Sequence, residues 1–404
     1  MPVAAAWIIL GAAALLYLGF ILAGLLAAVP VDGAVSLLFD EPFLTRAAAY
    51  QRAGLAISLQ QQLLSLLFLA AAVYLVMRFF KAAPHPALPY AAGYIVLFLI
   101  AQRLLSLPLD FYRGYTIEHR FGLSLQTAAG WFADYGKSAL IGLFIAAAAL
   151  TGLYVLITRW PARWWFFGGI AFTLFLLLSG YLYPLIIDPL FYRFTDLEGE
   201  GLPERITGLS EKAGIRVERI LVADAGRRTS KANAYFSGMG RTRRIVIYDT
   251  LLQNFTDEEV LAVIAHEMGH WRHGHLWRNV LLGAAGSFAA LYALYRVLLK
   301  MGLHADFRAL PLALLFFALL SMAVSPARSA LSRSLEREAD RTALSLIGES
   351  APFVSLYCKL ARSNLSVVQP HPLLKAALYT HPPLMERIEA ARREGGAIGG
   401  GEKR

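Results

Sequence analysis

The sequence predicts an all-α polytopic membrane protein of about seven transmembrane helices, carrying a mainly helical polar cap that contains a small β-hairpin or sheet. Hydrophobic residues make up 57% of the 404 residues and charged ones only 16%, against about a quarter charged in soluble domains. The apolar residues gather in runs long enough for the roughly 20 residues that cross a bilayer core. The charged residues gather elsewhere, in two polar segments. Other classes are excluded by the same arithmetic. Cys358 is the one cysteine, so neither an intrachain disulfide framework nor a thiolate zinc site is available. Aromatic residues at 12%, with this much aliphatic content, rule out a disordered chain.

The first run, residues 3–29, has no charge before Asp32. It lacks a basic n-region and is too long for a signal-peptide core, so it reads as a retained span. Further spans fall at about 57–77, 90–109, 139–157, 164–187, 280–299 and 309–324. The third holds Arg103 and Pro108. An ionisable residue inside a span is a functional candidate by default; an arginine that snorkels or pairs at a helix end is the alternative. The expected organisation is a membrane domain of five spans over 1–187, a soluble catalytic segment over 188–278, two further spans over 279–326 and a C-terminal catalytic segment over 327–404. Gly395, Gly396, Gly399, Gly400 and Gly401 mark a disordered tail. Two intervening spans return the chain to the same side, so both polar segments can build one site. No internal repeat supports a transporter of inverted halves.

The formal net charge is +10. Short loops opposite the polar segments carry Arg78, Lys81, Arg159, Arg163, Lys300 and Arg308. Those on the same side carry Arg46, Arg52, Arg113, Arg120 and Lys137, with Arg272, Arg278, Arg328 and Arg333 beside the membrane. The positive-inside rule leaves the orientation open.

Residues 256–275 carry the chemistry. Thr256 followed by Glu259 is a capping box, with Asp257 and Glu258 in the first turn. Val260, Leu261, Val263, Ile264 and Met268 supply a helical apolar pattern. A helix starting near Asp257 therefore carries His266 and His270 on one face, one turn apart. That spacing lets two imidazoles reach one tetrahedral Zn²⁺ and sets Glu267 beside the water it activates. Four of the nine histidines lie within 266–275, and a solvated histidine-rich face is the alternative. His273 and His275 lie off the ligand face or too far along it to bind the same ion.

A catalytic zinc needs a third protein ligand. The extended spacing H-E-x-x-H-x-x-G-x-x-H fails, because position 273 is His and position 276 is Leu. The second polar segment offers Glu336, Glu338 and Asp340. Glu336 and Asp340 are four apart and share a helix face, whereas Glu338 points away. Glu336 is thus expected on zinc, with Asp340 accepting the second imidazole N–H of a ligand histidine. An exposed charged helix is the alternative.

Asn233-Ala234-Tyr235-Phe236, then Ser237-Gly238-Met239-Gly240 and Arg243-Arg244-Ile245-Val246-Ile247-Tyr248, read as a hairpin with a Gly-bearing turn. Its edge could take an extended peptide by strand addition, or the hairpin could be structural. Arg227, Arg228, Lys231, Arg241, Arg243 and Arg244 cluster around it. No nucleic-acid module accompanies them, so contact with anionic lipid headgroups is the expectation.

Taken together, these motifs resemble the type I CAAX prenyl endopeptidases, membrane-embedded zinc metalloproteases of the gluzincin group. The resemblance rests on Asn233–Phe236, on residues 245–252 with Asp249-Thr250-Leu251, on His266–His270 with Trp271 and His275, on residues 336–340, and on His381-Pro382-Pro383 with Glu386-Arg387. In the N-terminal half it rests on Thr116-Ile117-Glu118, Phe121-Gly122 and Asp188-Pro189-Leu190-Phe191. It implies seven spans enclosing an intramembrane chamber, with the site at its mouth under a cap and facing the cytoplasm. It implies that His266, His270 and Glu336 bind one Zn²⁺ per chain and that Glu267 is the general base. It also implies that His381 and Arg387 contact the substrate carbonyl, and that Asn233, with Ala234 and Tyr235, lies on the strand that binds the peptide.

The expected function is that of an integral-membrane zinc endopeptidase cleaving near the C-terminus of a peptide or protein, with or without a prenyl group, in a bacterial inner membrane. Membrane lipids are the other expected partner; nucleic acid is not one. The enzymatic rival is a quality-control protease that trims misfolded membrane proteins. A non-catalytic, zinc-containing membrane scaffold is the rival from another class. Glu267 speaks against it, because a structural site needs no base.

Overall fold

A computed structural model describes residues 3–27, 33–79, 86–238 and 242–400, with side chains described as far as residue 394. Helices α1 (Val3–Leu26), α2 (Glu41–Phe79), α3 (Leu88–Phe111), α4 (Ala128–Arg159) and α5 (Trp164–Leu182) form the N-terminal membrane half. The polar helix α6 (Asp257–Arg272) leads into α7 (His275–Lys300) and α8 (Ala309–Ile347), and α9 (Ala351–Asn364), α10 (Pro372–Leu378) and α11 (Leu384–Gly400) close the chain. Among the described residues, seven of these helices, α1 to α5 with α7 and α8, are long and apolar enough to cross a membrane. The chain is an integral membrane protein. Large apolar side chains such as Leu15, Phe144 and Leu281 stay exposed on these helices, as a lipid-facing surface requires. The end of the first expected run, Asp32 and Lys81 lie outside the described residues.

Pro108 and Pro184 do not end their helical stretches. Past Pro108, α3 continues through a π-helical stretch at Tyr112–Ile117, and α5 continues through another at Tyr183–Ile187 around Pro184. Arg103 of α3 stands over the Tyr135 ring of α4, 5.9 Å from its centroid.

Two helices are far longer than their apolar runs. Each of α2 and α8 has 39 residues, about 58 Å at 1.5 Å per residue, against about 30 Å of hydrocarbon. The surplus enters the cap. Phe43, Leu44 and Ala47 of α2 join the cap core, and α8 passes Pro326 unbroken to carry Glu336 and Asp340. The expected boundaries at 187/188, 278/279 and 326/327 thus fall within continuous helical stretches. Helix α11 runs to Gly400, so the glycine-rich end expected to be disordered extends it; Gly401 lies outside the described residues.

The cap contains a four-stranded sheet. Strands β1 (Phe194–Asp196), β2 (Arg219–Ala223), β3 (Ala234–Ser237) and β4 (Arg244–Tyr248) lie in the order β1-β2-β4-β3. β2 and β4 are parallel, the other pairs antiparallel, and Phe236 stands opposite Ile245. The hairpin is therefore part of a sheet, and β3 is one of its two edges. Gly238 leaves β3 with φ +89°, where an added Cβ would stand 2.0 Å from the Thr242 carbonyl oxygen; residues 239–241 lie outside the described residues. Ile206, Leu251, Ile264 and Met268 from the first polar segment share one core with Ala343, Phe353, Leu356 and Ile388 from the second.

Four members of the basic cluster are held in ion pairs. Arg227 pairs with Asp224, Arg228 with Asp134, Lys231 with Glu118 and Arg244 with Asp188, at 2.7 to 3.1 Å. Three of those carboxylates come from the membrane half, so Arg228, Lys231 and Arg244 tie the cap to the spans. Arg243 lies over the Trp271 ring, and Arg241 lies outside the described residues.

Candidate functional site

Helix α6 starts where its sequence says it should. Thr256 Oγ1 accepts the Glu259 N–H at 3.4 Å, and Glu259 Oε2 accepts the Thr256 N–H at 2.8 Å. Lys359 of α9 donates to the same carboxylate oxygen at 2.8 Å. This doubly held first turn fixes the entry of α6, and burial of Val260, Leu261, Ile264 and Met268 fixes its rotation.

That rotation brings His266 and His270 against Glu336 of α8. His266 Nε2 is 3.2 Å from His270 Nε2 and 3.2 Å from Glu336 Oε2, and His270 Nε2 is 3.4 Å from Glu336 Oε1. Tetrahedral coordination at 2.0–2.1 Å would space its donors by about 3.3 Å, so the set fits one small cation. Glu336 Oε2 is buried and makes no hydrogen bond with the protein, an orphan that a metal would satisfy. Two imidazoles and a carboxylate also leave a fourth tetrahedral position open, as catalytic sites do. Among the described residues this is the group whose ligand atoms converge in this way.

A layer of hydrogen bonds orients the cluster. Asp340 Oδ1 is 2.8 Å from His266 Nδ1. Burial pulls the His266 imidazole down, but the Asp340 carboxylate outweighs it and lifts the group to about 9. Burial and the charge of His266 push His270 down to about 4, which leaves its lone pair available. Burial pushes the Glu267 carboxyl up, against the opposing pull of His266 and of the Phe236 N–H.

One residue lies differently from expectation. Arg387, expected at the substrate carbonyl, forks onto Asp340 through Nε at 2.9 Å and Nη2 at 2.6 Å. Its guanidinium also lies over the Tyr357 ring, 4.4 Å from the centroid. It therefore sits on the Nδ1 side of His266, away from the ring nitrogen that faces Glu336. The two carboxylates of Asp340 and Glu336 draw the cations of the site in opposite directions, and Asp340 takes the arginine. Glu338 does turn away from the three donors, but it is engaged: it meets His273, His275 and Arg278. His381 is on the open side, largely exposed, with Nε2 3.4 Å from Glu336 Oε1.

The three strand residues split by alternation. The Asn233 carbonyl accepts the Tyr248 N–H at 3.0 Å, so Asn233 and Tyr235 turn their backbone groups to β4. The Tyr235 hydroxyl donates to Asp188. Ala234 and Phe236 face the open edge, and the Phe236 N–H donates to Glu267 Oε2 at 3.3 Å. Phe236 was not singled out from the sequence; strand alternation would have pointed to it once Asn233 was paired inward. A cavity of about 570 Å³ joins Phe236, Glu267 and His270 to Trp271, Trp277 of α7 and Gly180 of α5.

Seven candidate spans beneath a cap that holds a His-Glu-x-x-His helix and a carboxylate from a second helix define a membrane metalloprotease. Residues 197–395 match peptidase family M48, and residues 32–193 match the family described as CAAX prenyl protease N-terminal, five membrane helices. The chain belongs to peptidase family M48, alongside the Ste24-type CAAX prenyl proteases. It is 33% identical over 313 residues to a Bacillus subtilis protein named uncharacterized metalloprotease YhfN, covering 75% of this chain and 73% of that one. It is 27% identical over 311 residues to CAAX prenyl protease 1 of Saccharomyces cerevisiae, covering 71% and 68%. The crystal structure of S. mikatae Ste24p has the same fold, with a TM-score of 0.78 at 24% identity over 96% of this chain and 97% of that one.

Proposed function

We propose that this metalloprotease is a zinc endopeptidase that cleaves an extended peptide laid along β3, near the substrate's C-terminus and at the membrane face. The observation that carries the reading is the hydrogen bond from the Phe236 N–H to Glu267 Oε2. It joins an open strand edge to a carboxylate that adjoins the His266–His270–Glu336 cluster. When bound by that cluster, Zn²⁺ supplies Lewis-acid polarisation of the scissile carbonyl and acidifies a neighbouring water.

The chain's own residues do the rest. The Phe236 carbonyl, on the edge of β3 that lines the cavity, accepts a backbone N–H of the peptide in strand addition. Glu267, whose proton affinity burial has raised, takes the proton of the attacking water and returns it to the leaving amine. His381 donates to the carbonyl oxygen as negative charge builds there. Arg387 acts through Asp340, holding the His266 ring in place.

The substrate reading is a prenylated C-terminal peptide presented at the cytoplasmic face of a bacterial inner membrane. It is supported by the names of the yeast, plant and human relatives and by the cavity that runs from Glu267 to α5 and α7. Purified protein offered a prenylated CAAX peptide, its unprenylated twin and fragments of a misfolded membrane protein tests it. Preferential cleavage of the prenylated peptide is expected. Preference for the membrane-protein fragments would replace this reading with the quality-control one.

A further inference from the structure

We propose that His275 and Glu338 are positioning residues for the metal, setting the tautomer in which His270 turns its lone pair to the cluster. The inference rests on the reading of His270 as a ligand. It follows a chain of hydrogen bonds that leads away from the site.

Glu338, when ionised, can only accept. Its Oε2 takes the Arg278 Nη1 donor at 2.8 Å and lies 3.0 Å from His275 Nε2. His275 Nε2 must therefore carry the proton, which leaves Nδ1 of the neutral ring as an acceptor. His275 Nδ1 is 2.7 Å from His270 Nδ1, a separation that requires one of the two nitrogens to donate. The donor is then His270 Nδ1–H. With its proton on Nδ1, His270 presents a bare Nε2 to His266 and Glu336, at 3.2 and 3.4 Å. For two neutral rings anchored on a carboxylate, this is the one arrangement that satisfies every contact.

The backbone is arranged for it. His273 caps the end of α6, and the left-handed Gly274, with φ +63°, caps the start of α7. His275, the first residue of α7, is thereby folded back against His270, and only 3% of it is exposed. His266 leans on a carboxylate directly, through Asp340. His270 reaches its carboxylate one imidazole further out.

The test compares His275→Phe, which keeps a ring but offers no acceptor, with His275→Asn, whose side-chain oxygen falls near the position of Nδ1. Zn²⁺ affinity of the purified full chain is measured by chelator competition, together with the visible absorption of the Co²⁺-loaded protein. His275→Phe should weaken Zn²⁺ binding by about 10–100-fold and alter the Co²⁺ spectrum, the usual cost of losing such an outer partner. His275→Asn should stay within roughly threefold of wild type, since it retains the acceptor. Glu338→Ala, on a part-exposed side chain, leaves the core untouched and should weaken binding in the same direction even if His275→Phe does not fold. Wild-type affinity in His275→Phe and Glu338→Ala, or equal weakening in Phe and Asn, would overturn the proposal. Failure of the wild-type chain itself to bind Zn²⁺ would remove the metal reading as well.

Discussion

Gly269 of α6 and Ala339 of α8 meet backbone to backbone: a Cβ placed on Gly269 would stand 2.8 Å from both the Cα and the carbonyl oxygen of Ala339. This crossing sets His266 and His270 opposite Glu336 and Asp340. A glycine in a helix interior is less favourable than alanine by about 1 kcal/mol, so the close approach is what requires it. Gly269→Ala should therefore destabilise the protein despite the better helix former, by about 1–3 kcal/mol of overpacking. Thermal unfolding and zinc content check this. A higher unfolding temperature with full zinc would show that the crossing has slack.

Arg387 and Asp340 form a buried pair, with side chains 10% and 12% exposed. Arg387→Ala leaves that carboxylate uncompensated and should cost roughly 3–5 kcal/mol. Arg387→Lys keeps the charge but loses the two-pronged contact and the flat stacking on Tyr357, so it should recover only part of the loss. Denaturant unfolding of the three proteins orders them.

His381 touches the cluster from its open side, and its removal should leave zinc in place. His381→Ala is expected to lower kcat by about 10²–10³-fold, the usual cost of losing one donor to a developing oxyanion, with KM changed far less. Loss of zinc from this variant would make His381 a ligand instead.

Metal binding must compete with a proton on His266, which Asp340 holds up at about 9 against the pull of burial. Below that value the competing proton is increasingly present, so Zn²⁺ affinity should rise as pH increases between about 6 and 8. His270, pushed down to about 4, is already neutral across that window and adds little to the slope. Chelator competition at three pH values reads the trend, and a flat profile would contradict it.

Much of this was legible in the residues. The spans announce themselves by run length, and the capping box at Thr256 is enough to place His266 and His270 on one helix face. The spacing of Glu336 and Asp340 likewise separates them from Glu338. What the sequence hides is what depends on distant partners. The basic residues around the hairpin look like a surface patch because Asp134, Glu118 and Asp188 are up to 113 residues away along the chain. Strands β1 and β2 are separated by a helix at Leu202–Ala213, so no short turn marks them as a pair. Helix α8 conceals its continuity because its apolar run ends at about 324, and beyond it the helix is held by α6, by Ala377 and Lys375 of α10, by Tyr379 and by Tyr357 of α9. Arg387 has no local signal that it would choose Asp340 over the open site.

In the proposed function Glu267 supplies the base while His266, His270 and Glu336 hold the metal. Zinc stoichiometry and peptide hydrolysis measured side by side on wild type and Glu267→Gln test it most directly. One zinc per chain in both proteins and loss of hydrolysis in the variant alone are expected. Undiminished turnover in Glu267→Gln, with contaminating proteases excluded, would contradict it.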